Sequence, residues 1–254
     1  LISELKVKFP DACKIDLPGD PKMPGFISLA YLRGGTVFDP PYDKDPEKLV
    51  FPAIDGKSGP VTCFGVNEET AYASHHVRVL ATNLQGDPEP AGVIPELVVD
   101  LAAFNPRLEV VLAQLEPAES LQATWRKANE LARGWEHGEE PAWTELGPRD
   151  TLAVPVVGFA LNKLLMATLR IPDKPEWDGY PYLVKQQINF SLTEGGALVE
   201  SFASCAPAAP APSPPCGPRH FTFDRPFLIA MKLRAAEEPF FLMWVANAEL
   251  MRKR

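Results

Sequence analysis

Two cysteines bracket a stretch of the chain that contains only Ala, Pro and Ser. Cys205 and Cys216 flank ten such residues in the segment SCAPAAPAPSPPCGP. A disulfide between them would close a loop of about a dozen residues and restrict the unfolded chain by roughly 3 kcal/mol. Ten residues of polyproline helix extend about 31 Å, whereas bridged Cα atoms lie about 5.5 Å apart, so a bridge requires a chain reversal near Ser213. The four cysteines fit two disulfides or four thiols, and both alternatives stay open.

Other residues that could do chemistry do not form a known pattern. His75 and His76 are adjacent and would point to opposite faces of a strand, so they do not suit one metal ion. The run Asp43-Lys44-Asp45 begins like a calcium-binding loop but lacks the central Gly and the closing Glu. The sequence contains no Gly-x-Ser-x-Gly elbow, His-Glu-x-x-His motif, phosphate-binding loop or Gly-x-Gly-x-x-Gly motif. We therefore predict no metal, no cofactor and no enzymatic activity.

Composition places the chain among globular proteins. Hydrophobic residues make up 46% and charged residues 23%, which allows a substantial core. The 28 prolines exclude long uninterrupted helices and favour short strands joined by turns. A net charge of −8 repels phosphate backbones, so nucleic acid is not an expected partner. No window of about 20 residues is apolar enough to be predicted as a membrane span.

Strand-like segments dominate the chain, and hairpin turns join many of them. Asp55-Gly56 lies between two β-rich runs, Asn105-Pro106 joins another pair, and residues 235–239 separate the two apolar C-terminal runs. An amphipathic pattern predicts one helix over 118–133. The segment 162–169 fits either a short helix or an extension of the strand before it. The sequence predicts an α+β, strand-dominated fold with antiparallel or mixed sheets and few helices.

Several segments, taken in order, resemble the later two-thirds of a serpin. FISLAYLRGGTVFDPPYD is similar to the sheet strand that leads into a Phe-Asp-Pro turn, and VFPAIDGKSGPVTCFGV is similar to the hairpin that follows it. QQINFSLTEGGALVESF is similar to the strand that leads into the reactive-centre loop. FTFDRPFLIAMKLRAAEEPFFLMWV is similar to the C-terminal hairpin and includes its Pro-Phe pair. The resemblance covers residues 26–250 and comes from the order and spacing of these segments together.

The resemblance implies a role for the Pro-rich segment. It places SCAPAAPAPSPPCGP at the position of the reactive-centre loop, with Glu194-Gly195-Gly196 at the Glu-x-Gly hinge. Serpins offer this loop to proteases as bait. After cleavage, the loop inserts into the main sheet and carries the trapped protease with it. Insertion needs a segment with available N–H groups and small side chains.

Residues in and before this loop oppose insertion. Five prolines lack the N–H group that a sheet ladder needs. Bulky or charged residues precede them where inhibitory serpins carry small ones, which costs several tenths to several kcal/mol per residue on insertion. The chain also has Met243 where the family usually has Gly, and it has no counterpart of the helical first third of a serpin. The prolines are Pro207, Pro210, Pro212, Pro214 and Pro215, and the preceding residues are Leu198, Val199, Glu200 and Phe202.

The sequence therefore predicts one serpin-like domain over 1–254 that lacks the N-terminal helical third. An irregular segment is expected at 1–25 and an exposed Pro-rich loop at 203–218. We predict a non-inhibitory interaction domain that presents this stiff loop to a protein partner. Three alternatives stay open: a connector without a partner, a serine protease inhibitor acting through 195–218, and, ranked last, an enzyme with an unrecognised site. The candidate hinge and loop residues are Glu194, Gly195, Gly196, Pro210, Pro212 and Ser213.

Two features of the sequence, the cysteines and the first residue, bear on the cellular location of the protein. An oxidised Cys205–Cys216 pair favours an oxidising environment. The chain begins at Leu1 and not at Met, which suggests a trimmed or removed leader. Both features favour a secreted or periplasmic protein.

Overall fold

The computed structural model describes the chain in eight stretches. The chain divides into two compact units, one formed by Gly34–Gly158 and Phe190–Arg254, the other by Leu1–Arg33 and Phe159–Asn189. The second unit is described only at residues 159–168 and 181–189, which belong to two neighbouring strands of one sheet. The described residues are 34–54, 56–68, 77–83, 96–136, 145–147, 149–168, 181–199 and 219–253.

Fifteen strands and one α-helix make up most of the regular structure of these residues. Most of the strands are short, as expected for a chain rich in proline. The helix is α1 (Leu121–Glu136), and a 3-10 helix covers Ala248–Leu250. The strands are β1 (Gly34–Val37), β2 (Asp43–Lys44), β3 (Leu49–Pro52), β4 (Ser58–Val61), β5 (Cys63–Val66), β6 (Arg78–Thr82), β7 (Leu97–Asp100), β8 (Leu108–Gln114), β9 (Thr151–Pro155), β10 (Val157–Thr168), β11 (Pro181–Thr193), β12 (Gly196–Val199), β13 (His220–Thr222), β14 (Phe227–Leu233) and β15 (Phe241–Val245).

The described strands form three larger sheets and one separate hairpin, β3–β4. The five-stranded sheet has the order β15-β14-β8-β7-β6, with antiparallel neighbours throughout. A four-stranded sheet, which we call the β12 sheet, has the order β1-β12-β11-β10. A second, which we call the β13 sheet, has the order β13-β9-β5-β2, and its β13–β9 pair is parallel. The predicted strand-dominated fold with antiparallel and mixed sheets is confirmed.

A large part of the core lies on the five-stranded sheet. Strand β14 has an inner position between β8 and β15, and its first five residues, 227–231, are fully buried. Burial of each such large apolar side chain contributes about 1.5–3 kcal/mol. The continuous apolar run FLIAM is therefore explained by a strand that is covered on both faces, where alternation with polar residues is not expected.

Helix α1 packs against this sheet. The Ser120 Oγ accepts a hydrogen bond from the Ala123 amide (3.1 Å), which caps the first turn. Trp125 and Ala128 are buried in one cluster with residues of β6, β7, β8 and β14. The sequence predicted a helix over 118–133. The helix begins three residues later because the cap position is Ser120, and it continues to residue 136.

Several turns lie where the sequence predicted them. Strands β3 and β4 pair across Asp55-Gly56, and Gly56 has a positive φ of 77° that suits a hairpin turn. Strands β7 and β8 pair across the turn that contains Asn105. Of the two alternatives for residues 162–169, the extension of the strand is confirmed for 162–168, because β10 runs without a break to Thr168.

Cys63 lies buried in β5, and its Sγ donates a hydrogen bond to the Glu47 carbonyl oxygen (3.3 Å). The other three cysteines lie outside the described residues, so the two alternatives for the cysteines stay open.

Several other predictions concern residues outside the described ranges. They include the possible Cys205–Cys216 bridge, the loop at 203–218 and the irregular segment at 1–25. The prediction of one domain over the whole chain also stays a prediction. Among the described residues, no helix is long and apolar enough to cross a membrane. The candidate residues outside the description are Pro210, Pro212, Ser213, His75 and His76.

Candidate functional site

The predicted hinge forms a tight turn between two paired strands. Glu194 and Gly195 make the turn that joins β11 to β12, and Gly196 is the first residue of β12. Thr193 stands opposite Gly196 in the antiparallel register of the two strands. Two-residue connections with Gly are typical of β-hairpins. The three hinge candidates are thus brought together in one hairpin.

Strand β12 has an inner position in its sheet. It pairs with β11 on one side and with β1 on the other, both antiparallel, and Leu198 and Val199 stand opposite Gly35 and Gly34. We predicted that bulky or charged residues after the hinge oppose insertion of the loop, yet two of them, Leu198 and Val199, lie in this inner strand. The other two, Glu200 and Phe202, lie outside the described residues, so the prediction about insertion stays a prediction. None of residues 196–199 is Pro, so each has the N–H group that the ladder needs.

Gly196 allows β12 to approach β1 closely. Its φ of +155° lies in a region that residues with a side chain rarely adopt. A Cβ atom at this position would lie 2.3 Å from the Thr36 carbonyl oxygen and 3.2 Å from the Val37 Cα. Both contacts are with backbone, which cannot move aside as a flexible side chain could. The start of β12 therefore requires glycine.

Backbone hydrogen bonds join the turn to the neighbouring segment 38–42 of the same chain. The Phe38 amide donates to the Gly195 carbonyl oxygen, and the Tyr42 amide donates to the Glu194 carbonyl oxygen, both at 3.0 Å. The Gly195 amide donates to the Thr193 Oγ1 (3.3 Å). Both carbonyl oxygens of the turn and the Gly195 amide thereby have partners within the protein. The position of the hinge is fixed by residues 38–42.

A surface ion pair adds to these contacts. The Lys44 Nζ lies 3.1 Å from the Glu194 Oε1, with the Lys44 side chain 74% exposed. Such exposed pairs contribute about 0–1 kcal/mol. Partial burial acts to raise the pKa of Glu194, but the hydrogen bond and charge of Lys44 and the charge of Arg252 outweigh it and hold the pKa below its ordinary value. The hinge therefore carries a carboxylate at neutral pH.

A buried ion pair holds the residue that directly follows the Pro-rich segment. Arg219 donates to Asp150 Oδ2 from Nε (2.9 Å) and from Nη2 (2.6 Å), and its backbone amide donates to Oδ1 (2.8 Å). The two side chains are 4% and 2% exposed. Arg219 Nη2 also donates to the Glu145 carbonyl oxygen (2.8 Å), and the guanidinium carbon lies 5.1 Å from the centre of the Phe221 ring. Charge-assisted bonds of this kind are among the strongest in proteins.

Strand β13 continues from this ion pair. It pairs in parallel with β9, so that His220 stands beside Thr151 and Phe221 beside Leu152. The His220 Nδ1 and the Thr151 Oγ1 are 2.9 Å apart. A hydroxyl next to a histidine is one element of a nucleophilic site. This pair is exposed, and its contact follows from the position of the two residues as direct neighbours across the strands.

The sequence did not reveal Asp150 and Arg219 as partners. They are 69 positions apart, and no local pattern links residues at that distance. One signal was available in the sequence, because each charged residue directly precedes a predicted apolar strand. Such a position places a charge at the start of a buried element, where it needs a partner.

The acidic run at 43–45 has a structural role. The Asp45 Oδ1 accepts a hydrogen bond from the Cys63 amide (3.1 Å), and the Asp43 Oδ2 accepts one from the Asn67 amide (3.4 Å). These carboxylates hold β2 beside β5. In the part of the chain that the structure describes, no group of three or more His, Cys, Asp or Glu residues is placed to hold a metal ion.

Comparison with known proteins gives matches among solved structures alone. No protein-family model matches the sequence, and no curated protein matches it. The chain is similar to human glycosylated kallistatin with a TM-score of 0.44 and 13% identity, over 82% of this chain and 52% of that one. It is similar to the thermophilic serpin tengpin in its native state with a TM-score of 0.43 and 15% identity, over 81% and 51%. A complex of thyroxine-binding globulin with thyroxine gives 0.39 and 12%, over 81% and 52%.

These three proteins are serpins, the family that the sequence resembles. The chain spans about half the length of each. At these identities and TM-scores the similarity assigns no activity, ligand or partner to this chain. A function for this chain therefore has to be argued from its own residues.

Proposed function

We propose that the chain is a non-catalytic, serpin-like binding domain that presents the Pro-rich segment 200–218 to a protein partner. The observation that supports this proposal is that both ends of the segment are anchored. Val199 ends a strand with neighbours on both sides, and Arg219 is held by the buried ion pair with Asp150. The segment is therefore presented between two defined points of one compact unit.

Anchored ends favour binding because they reduce the entropy that a loop loses when a partner fixes it. Polyproline segments lose little further entropy, since each proline already restricts its own φ. The segment contains three Pro-x-x-Pro patterns, at 207–210, at 212–215 and at 215–218. Grooves lined with aromatic side chains recognise this pattern. We propose a partner with such a groove.

The prolines also limit how far β12 can lengthen. Residues 200–206 carry amide hydrogens, whereas Pro207 has none. At most seven residues can therefore be added to β12 before a ladder bond is lost, and further prolines follow at once. This limit argues for presentation of the loop and against its complete insertion into the β12 sheet.

Protease inhibition is the second candidate, and the position of β12 favours it. The resemblance to serpins implies that the reactive-centre loop enters the main sheet directly after the hinge. Here 196–199 already lie between β1 and β11. An inhibitor would use the seven residues 200–206 to continue this strand after cleavage of the loop.

Binding to polyproline-recognition domains tests the first proposal. The whole protein is titrated against a panel of purified SH3 and WW domains, with the tryptophan fluorescence of each domain as the signal. We expect micromolar binding to at least one domain and at least tenfold weaker binding when Pro210 and Pro212 are both replaced by Ala. Replacement of Pro60 and Pro117, two exposed prolines outside the Pro-rich segment and the hinge, by Ala is the matched control and should leave the affinity unchanged.

If the protein binds none of the domains, the proposed partner class is excluded. Equal affinities of the wild type and the Pro210→Ala/Pro212→Ala variant would also exclude it. The second candidate is tested separately by incubation with serine and cysteine proteases. A covalent complex that survives denaturing electrophoresis would establish the inhibitor and overturn the binding proposal.

A further inference from the structure

We infer that the turn between β7 and β8, residues 101–107, positions the N-terminal anchor of the Pro-rich segment, with Asn105 as the main positioning residue. This inference rests on the proposed function of the segment. The turn belongs to the five-stranded sheet, whereas the anchor belongs to the β12 sheet. Two hydrogen bonds join the turn to the chain segment 36–42, which in turn holds the hinge.

The first bond joins Asn105 to β1. The Asn105 Nδ2 donates to the Oγ1 of Thr36 at 2.9 Å, and Thr36 is buried. Thr36 pairs with Ala197 in the ladder between β1 and β12, and its carbonyl oxygen is the atom that excludes a side chain at Gly196. Asn105 therefore acts on the residue that defines how closely β12 approaches β1.

The second bond joins Tyr42 to the same turn. Its phenol donates to the Leu101 carbonyl oxygen at 2.9 Å, and its backbone amide donates to the Glu194 carbonyl oxygen at 3.0 Å. One residue thus contacts both the turn and the hinge. Burial, and then the negative charge of Asp100, raise the pKa of Tyr42 well above its ordinary value, so the phenol keeps its proton and stays a donor.

The turn is rigid enough to serve as a support. The Asn105 Oδ1 accepts from the amides of Arg107 and Leu108, both at 2.9 Å. Arg234, which follows β14, donates from Nε to the Asn105 carbonyl oxygen (2.9 Å) and from Nη2 to the Asp100 Oδ2 (3.0 Å). The other Asp100 oxygen, Oδ1, accepts from the Ala102 amide (2.8 Å). These bonds fix the backbone from which the Asn105 amide group reaches β1.

Two conservative variants separate this role from general stability. Thr36→Val removes the acceptor of Asn105 but keeps a branched side chain, and it leaves the turn bonds of Asn105 intact. Tyr42→Phe removes only the hydroxyl that donates to the Leu101 carbonyl oxygen and keeps the ring. Thr124→Val is the matched control, because Thr124 is equally buried and donates from Oγ1 to the Ser120 carbonyl oxygen (2.9 Å) at the start of helix α1.

Amide hydrogen exchange of the whole protein, followed by mass spectrometry, measures the effect. Loss of one buried hydrogen bond changes a local opening equilibrium roughly fivefold to thirtyfold. In both variants, we expect exchange to be faster by a factor of this order in the peptides that cover 34–37 and 196–199. The exchange rates of β14 should stay as in the wild type. The Thr124→Val control should accelerate exchange in α1 and leave β12 as in the wild type.

Two outcomes would overturn the inference. One is unchanged exchange in β12 in both variants. The other is equal acceleration in β12 and β14, which would indicate general destabilisation. The measurement needs no partner, so failure of the SH3 and WW titration leaves this result interpretable, and the reverse is also true.

Discussion

Replacement of Asp150 by Ala is expected to lower the free energy of unfolding by about 3–5 kcal/mol. The substitution leaves the guanidinium of Arg219, which is only 4% exposed, without its countercharge. It also removes the acceptors of the Arg219 and Gly147 amides. Equilibrium unfolding in urea, followed by circular dichroism, measures the loss. We expect faster hydrogen exchange in β13 at the same time.

A half-exposed ion pair provides the control for this prediction. Arg225 and Asp224 lie 3.8 Å apart with side chains 50% and 46% exposed, so Arg225→Met should cost less than about 1 kcal/mol. The double variant Asp150→Ala/Arg219→Met removes both buried charges and should be more stable than Asp150→Ala alone. A loss below 1 kcal/mol for Asp150→Ala would show that the ion pair does not anchor the chain at residue 219.

Replacement of Gly196 by Ala is expected to cost about 2–5 kcal/mol, from backbone strain and from collision with β1. The added Cβ would lie 2.3 Å from the Thr36 carbonyl oxygen. The strand β12 should separate from β1, which exposes the amides of 34–37 to exchange. Urea unfolding gives the stability, and hydrogen exchange locates the change.

Gly195→Ala is the matched control, one residue earlier in the same hairpin. A Cβ there would come no closer than 3.8 Å to a neighbouring atom, the Thr193 Oγ1. We expect a change of about 0.5 kcal/mol or less, as for most unstrained surface substitutions. Equal effects of the two variants would contradict the close approach of β12 to β1.

Local chemistry was sufficient to predict many of the individual elements. The pair Asp55-Gly56 predicted the hairpin turn between β3 and β4. This prediction depends on residues close in sequence. Strand β9 ends at Pro155, and a proline donates no ladder hydrogen bond.

Long-range partners could not be predicted in the same way. The sequence of 196–199 fits a strand, but its place between β1 and β11 depends on pairing with residues 34–37, which lie far earlier in the chain. The bulk of Leu198 and Val199 opposed this prediction, because their partners in β1 could not be identified from the sequence. The pairing of Asp150 with Arg219 likewise depends on the parallel arrangement of β9 and β13.

Thermal unfolding before and after cleavage of the Pro-rich segment tests the central claim, that this segment is presented and does not insert. The whole protein is cut within 207–215, with mass spectrometry to locate the cut, and the melting temperature is measured again. Because Pro207 and the prolines after it cannot join the ladder, we predict a change of no more than a few degrees. For a chain of this size, 1 kcal/mol corresponds to about 2–4 °C. A rise of roughly 10 °C or more, about 3–5 kcal/mol, would mean that the cut segment had become part of the β12 sheet, and it would contradict the account.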